Sequence, residues 1–262
     1  MTMSRGNENT QEPSIHPVVF LGAGPGDPEL ITLKGRRLLD QADLIIYAGS
    51  LVNTALLEGV GGRCHDSAGM DLEAIITLVL KGYRQGLKVV RLHTGDPAIY
   101  GAIREQMQWL DREGVDYEVV PGVSSAFATA ATLKRELTVP EVTQTVILTR
   151  QAGRTPVPER ESLTRLAAIQ ATMCIFLSVS MMDQVVADLT AGGYSEETPV
   201  AVVEKASWPE ERVLRGTLKT ISAQIGSSKI RKTAMIIVGP ALDDASTIAS
   251  KLYDTSFKHE YR

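Results

Sequence analysis

Cysteine is scarce in this chain of 262 residues: there are two, Cys64 and Cys174. They lie far apart, and Cys174 sits inside the apolar run Met173-Cys174-Ile175-Phe176-Leu177. Buried free thiols in a reducing cytoplasm are the expectation. Four scattered histidines show no paired Cys/His spacing, which excludes a zinc site, and no metal ligands are expected. No apolar run approaches the roughly 20 residues that cross a bilayer. Met1 to His16 is polar and lacks the apolar stretch of a signal peptide, so it reads as a tail. Charge of one sign is not in excess either. The formal net charge is −4, which argues against a general binder of nucleic acid or of a membrane surface. Low-complexity blocks and internal repeats are missing too, and with them the case for disorder or a solenoid.

What remains is an ordinary globular composition, 44% hydrophobic and 22% charged. Short apolar runs alternate with helical patterns. Pro17 to Leu21, Leu44 to Tyr47, Leu87 to Leu92 and Tyr117 to Val120 read as strands. Thr32 to Gln41 reads as a helix with a stripe of Leu33, Leu38 and Leu39. Asp71 to Arg84 carries Leu72, Ile75, Ile76, Val79 and Leu80 at helical spacing. Ile99 to Glu113 and Ser124 to Leu133 complete the first half. This alternation predicts an α/β unit with a mostly parallel sheet covered on both faces.

Pro140 interrupts the pattern, which places a domain boundary near 136–142: a first domain over 17–138, a second over 139–245 and a tail over 246–262. The second half opens with a Pro- and Arg-rich loop, Arg150 to Pro158. A helix from Glu159, a strand Cys174 to Leu177 and a helix from Met182 to Leu189 follow. Strands Pro199 to Val203 and Thr233 to Val238 come next, with Arg212 to Gly216 as an antiparallel neighbour of the former. A second α/β domain with a mixed sheet is expected.

Three loops follow strands of the first half and lead into helical segments. Gly22-Ala23-Gly24-Pro25-Gly26-Asp27-Pro28 is the first. It fails as a dinucleotide turn, because Asp27 stands where the third glycine belongs and Pro25 removes a backbone donor. The second strand ends Tyr47-Ala48-Gly49, without an acid for a ribose hydroxyl. No G-K-[ST] of a P-loop is present. The others are His93-Thr94-Gly95-Asp96-Pro97-Ala98-Ile99-Tyr100-Gly101 and Val120-Pro121-Gly122-Val123-Ser124-Ser125-Ala126. Three such loops on one edge of a parallel sheet form a crevice of the kind that binds ligands. A plain structural turn remains open for the first, helix capping for Asp96, Ser124 and Ser125, and turn stabilisation for Asp27.

The same loops, with Leu30-Ile31-Thr32 and the closing run Thr233-Ala234-Met235-Ile236-Ile237-Val238-Gly239, resemble the tetrapyrrole methylase family over about residues 17–240. The resemblance implies two α/β domains, a homodimer, and S-adenosylmethionine, spent as S-adenosylhomocysteine, in a cleft between the domains. Carried over by position, cofactor contacts would come from Pro25, Gly95, Asp96, Ile99, Ser124, Ser125, Leu177, Ala206, Thr233 and Ala234. A narrower resemblance lies in Tyr47 to Val52, in Thr149-Arg150 with Gly153-Arg154-Thr155-Pro156-Val157-Pro158-Glu159, and in Lys205-Ala206-Ser207-Trp208-Pro209-Glu210. These runs are similar to the branch that methylates carbon 11 of precorrin-4 or cobalt-precorrin-4 in cobalamin biosynthesis. Lys251-Leu252-Tyr253 and His259-Glu260-Tyr261-Arg262 tilt the resemblance towards the cobalt form. In the related uroporphyrinogen-III methyltransferases an Asp follows the strand-two tyrosine; here Ala48 stands there, and no general base is identified. Tyr100 and Glu204 are the alternatives.

The implied substrate is a macrocycle fringed with carboxylates, and a chain of net negative charge needs local cations to hold it. Arg150 and Arg154 are the substrate-binding candidates, with Asp27 at a loop the macrocycle could reach. Arginine's planar fork suits carboxylates. Arg160 and Arg165 read as parts of an amphipathic helix, and Arg231 and Lys232 as either. A nucleotide-binding oxidoreductase and a non-enzymatic tetrapyrrole carrier are the competing classes. The missing third glycine and ribose acid count against the first, and the three loops against the second.

Overall fold

The computed structural model describes residues 16–49 and 51–243. The two predicted tails fall outside these residues, apart from His16, as do Ser50 and the runs at 251–253 and 259–262. The chain divides into two compact units between Val123 and Ser124.

The first unit holds strands β1 (Val18–Gly22), β2 (Leu44–Tyr47), β3 (Arg63–Asp66), β4 (Val89–His93) and β5 (Tyr117–Val120). Its helices are α1 (Leu33–Asp40), α2 (Leu72–Arg84) and α3 (Ile103–Arg112). The strands pair in the order β3-β2-β4-β1-β5, all parallel. Alternate residues of each strand serve opposite faces. Val19, Leu21, Ile45, Val90 and Leu92 pack with Leu39 of α1. Val18, Phe20, Leu44, Ile46 and Val89 pack with Ile75 and Val79 of α2 and Leu110 of α3. The chain therefore leaves β1 over one face and its neighbour β4 over the other. The crevice at the carboxyl ends of such a strand pair is where open α/β sheets take ligands.

Three expectations change here. Leu33 is 93% exposed rather than part of a stripe. At about 100° per residue it lies about 140° round the helix from Leu38. The third helix begins at Ile103, not Ile99, because Tyr100 and Ala102 hold φ of 55° and 49°. Left-handed residues cannot sit inside a right-handed helix. Strand β3, with the sequence Arg-Cys-His-Asp, carries no apolar alternation because it is the exposed sheet edge. That position leaves Cys64 exposed, whereas Cys174 is buried as expected; both thiols are free.

The second unit contains α4 (Ser125–Leu133), β6 (Val146–Arg150), α5 (Leu163–Ala167), β7 (Thr172–Phe176) and α6 (Met182–Ala191). After these come β8 (Pro199–Glu204), β9 (Arg212–Thr217), α7 (Leu218–Ser228) and β10 (Ala234–Val238). The sheet order is β6-β7-β10-β8-β9. Among the described residues only β6 and β7 run parallel, so the sheet is mixed. The predicted antiparallel pairing of β8 with β9 is present over six residue pairs. One face carries α5, α6 and α7 through Leu163, Val185, Leu189, Leu218 and Ile221. Helix α4 covers the other, its Ala126, Ala128, Ala130 and Leu133 packed on Cys174, Ala201, Met235 and Ile237. This packing draws the whole of α4 into the second unit, upstream of the expected boundary at 136–142. Helix α7 has no counterpart in the sequence reading. Among the described residues no helix is long and apolar enough to cross a membrane.

Candidate functional site

In the first unit the three glycine loops come together. Gly24 and Gly95 exchange backbone hydrogen bonds of 3.3 and 2.8 Å. A Cβ on Gly22 would lie 2.6 Å from Gly122 Cα, and one on Gly122 would lie 2.1 Å from the Gly95 carbonyl oxygen. These glycines are thus required by the contact of loop with loop. Asp96 ties the assembly together: Oδ1 accepts from Ala98 N–H at 2.8 Å and Oδ2 from Gly122 N–H at 3.0 Å. It does not cap a long helix; it closes an Asx turn and anchors the third loop. Pro25 and Gly95 are buried, Ile99 is half-buried, and Asp27 Oδ1 accepts from Glu29 N–H at 2.9 Å at a short 3-10 turn.

Two buried polar atoms at the end of β4 have no hydrogen-bond partner among the described residues, His93 Nε2 and Thr94 Oγ1. Burial first, then the neighbouring Arg91 guanidinium, lower the His93 pKa to about 3. Arg91 is itself buried, donating to Gln106 Oε1 at 3.2 Å and the Ile46 carbonyl at 3.0 Å. Nothing in the sequence pattern singled out His93 or Arg91. At the end of β3, Asp66 Oδ1 accepts from Gly49 N–H at 2.9 Å and Ala68 N–H at 2.8 Å. Those two bonds, Ala68 first, lower its pKa. A carboxylate thus lies beside the turn that carries Ala48, supplied by the neighbouring strand.

In the second unit, β10 runs antiparallel between β7 and β8. Leu177 after β7, Lys205 to Ser207 after β8 and Thr233 before β10 therefore share one sheet end, and Lys205 N–H donates to the Thr233 carbonyl at 2.8 Å. Four residues here hold left-handed φ without being glycine: Leu177 (54°), Lys205 (51°), Ser207 (69°) and Thr233 (53°). Such strain costs of order 1 kcal/mol or more per residue and gathers at functional sites. Leu177 is 65% exposed, while Ala206 is buried and Ala234 half-buried. Ser124 caps α4, its Oγ accepting from Ala126 N–H at 3.4 Å, and Ser125 opens that helix.

The arginine candidates separate clearly. Arg150 ends β6 rather than lying in the loop, and its guanidinium donates to the carbonyls of Gln151, Thr155 and Pro156. Arg154 lies exposed in that loop. Arg160 sits in a 3-10 turn and pairs with Glu161; Arg165 is on α5 and pairs with Glu159. Arg231 donates to the Ile225 and Ile230 carbonyls and closes the end of α7, and Lys232 is exposed. Glu204 is engaged with Arg212 at 2.6 Å across strands, which leaves it a poor base; Tyr100 is 46% exposed. A separate open hollow of 480 Å³ beside α2, lined by Met70, Asp71, Thr77 and Lys81 among others, includes no residue of the three loops.

Comparison with known proteins follows the same lines. The family model of tetrapyrrole (corrin/porphyrin) methylases matches residues 17–222. The chain is similar to a cobalt-precorrin-4 C(11)-methyltransferase of Methanocaldococcus jannaschii, with 58% identity covering 94% of this chain and 95% of the relative. It is similar to a solved cobalt precorrin-4 methyltransferase, a cobalamin biosynthetic enzyme. There the TM-score is 0.86 and the identity 51%, covering 90% of this chain and 99% of the other. A uroporphyrin-III C-methyl transferase from Thermus thermophilus, solved with S-adenosyl homocysteine, matches with TM-score 0.75 and 32% identity, covering 87% and 99%. With its converging glycine loops, parallel and mixed sheets and a family match across most of its length, this chain belongs to the tetrapyrrole (corrin/porphyrin) methylases.

Proposed function

We propose that the chain transfers a methyl group to carbon 11 of cobalt-precorrin-4 in cobalamin biosynthesis. The observation that carries this reading is the 58% identity, over nearly the full length of both chains, to a relative of that name. S-adenosylmethionine supplies an activated methyl group and leaves as S-adenosylhomocysteine. The fit of the residues to such a cofactor is chemical: it has an adenine needing apolar walls, and hydroxyl and amino groups needing polar partners. Leu177 and Ala206 are apolar and near the strained sheet end, and Thr94 Oγ1 and His93 Nε2 are buried atoms without a partner among the described residues.

In this reading Pro25, Gly95, Asp96, Ile99, Ser124, Ser125, Leu177, Ala206, Thr233 and Ala234 hold the cofactor. Asp96 uses one lone pair on each oxygen for the loops, and its remaining capacity and charge suit a cationic ligand. The substrate carboxylates fall to Arg154, and Asp27 keeps the first loop in shape. Since the sulfonium is already a good leaving group, the protein's part is to align the reacting atoms and exclude water. Assembly as a homodimer in the cytoplasm belongs to the same reading and is checked by sedimentation and fractionation.

The deciding experiment incubates the protein with methyl-labelled S-adenosylmethionine and precorrin-4, with and without inserted cobalt. Label at carbon 11 of the cobalt form alone is the expected result. Transfer to the metal-free form only would reassign the substrate. Cofactor binding without transfer to either would move the substrate elsewhere in the family.

A further inference from the structure

The loop at 151–158 is exposed except at its base and at the half-buried Val157. There Gln151 is buried: its N–H donates to Ser178 Oγ at 2.8 Å, and its side-chain amide donates to Asp188 at 2.7 Å. Ser178 in turn donates to the Phe176 carbonyl at 2.6 Å, which locks the base to the end of β7. The outer part of the loop has a different fastening. Arg150 Nη1 donates to the Thr155 carbonyl at 3.1 Å and Nη2 to the Pro156 carbonyl at 2.8 Å. Gly153 N–H donates to the Thr155 carbonyl at 3.3 Å, which makes a tight turn with Arg154 at its tip. A Cβ on Gly153 would lie 3.4 Å from Met181 Cε, so the turn rests on that side chain.

Of the four arginines at 150, 154, 160 and 165, two are ion-paired and Arg150 is spent on loop carbonyls. Arg154 alone has no hydrogen bond or ion pair to any described residue.

We propose that Arg150 is a positioning residue: its guanidinium fastens the 151–158 loop so that Arg154, at the tip, meets a carboxylate of the tetrapyrrole. The inference rests on the functional reading above, and it separates two arginines that the sequence pattern treats alike. Carbonyl acceptors fixed in a fork call for a planar, two-pronged donor, which lysine does not provide.

The test uses the full chain with Arg150→Met, Arg150→Lys, Arg154→Gln and the double variant Arg150→Met/Arg154→Gln. In the absence of ligand, trypsin cleavage of the Arg154–Thr155 bond is followed by mass spectrometry. Loss of the two hydrogen bonds to the Thr155 and Pro156 carbonyls opens the loop more often, so Arg150→Met speeds this cut about thirtyfold. Arg150→Lys falls between it and the parent. In methyl transfer, Arg150→Met raises KM for the tetrapyrrole and leaves the affinity for S-adenosylhomocysteine unchanged. The double variant is no worse than Arg154→Gln, because Arg150 acts through Arg154. An unchanged cleavage rate overturns the fastening. Losses that multiply in the double variant make Arg150 a direct substrate ligand and overturn the positioning role. Failure of the parent to methylate either form of precorrin-4 counts against the functional reading, and the cleavage rate still decides the fastening.

Discussion

At the scale of single residues, His93 couples the site to pH. Its neutral ring is enforced by burial and by Arg91, with a folded pKa of about 3 against about 6.5 in an unfolded chain. Between these values the unfolded chain binds the extra proton. Stability is therefore complete above about pH 6.5 and is lost as pH falls towards 3, by up to about 1.4 kcal/mol per pH unit. Thermal melts of the parent are expected to decline across this window more steeply than those of His93→Leu. Parallel curves would remove His93 from the account. Residues of this kind were the least legible in the sequence. Gly22, Gly95 and Gly122 announced themselves by type, yet their role is mutual contact, which no spacing rule conveys. Arg150 and Arg154 looked equivalent, because a side chain's partners are set by tertiary folding.

At the scale of elements, periodicity read best where one face is buried. The strand cores followed their apolar spacing, and helix α2 did so through Ile75, Ile76 and Val79, whereas Leu72 at its start is 38% exposed. Edge strand β3 did not, since both of its faces are exposed and nothing selects alternation. Helix α7 buries Leu218, Ile221 and Ile225, a sparse stripe, and opens with Thr217 N–H donating to Thr220 Oγ1, a signal that could have marked its start. Helix α4 is informative in the opposite sense: its run of alanines lets it lie close to the mixed sheet. Ala126 is fully buried against that sheet. Ala126→Leu is expected to cost about 1–3 kcal/mol by overpacking. Ala131→Leu serves as the control, since Ala131 lies on the exposed side of the same helix. Equal effects in chemical denaturation would contradict the packing.

At the scale of the whole molecule, the four apolar clusters among the described residues segregate by unit. Two are built only from residues before Val123 and two only from residues after it. Separate cores carry separate cooperative transitions. Calorimetry is expected to give a measured enthalpy larger than the van't Hoff value, and a single two-state endotherm would show the units to be coupled. Two α/β units are legible in the sequence, but their division lies upstream of the place that Pro140 marks. Pro140 is a strong local punctuation mark, whereas the allegiance of α4 is decided by which sheet its small residues fit.

The two thiols also differ in a way that an experimenter can exploit. Cys174 is sealed in the core, its pKa pushed up to about 12 by burial, whereas Cys64 lies on the exposed edge strand. The parent chain thus offers a single attachment point for a maleimide dye or spin label without any engineered cysteine. Burial raises the Cys64 pKa somewhat as well, so coupling will run faster in mildly alkaline buffer.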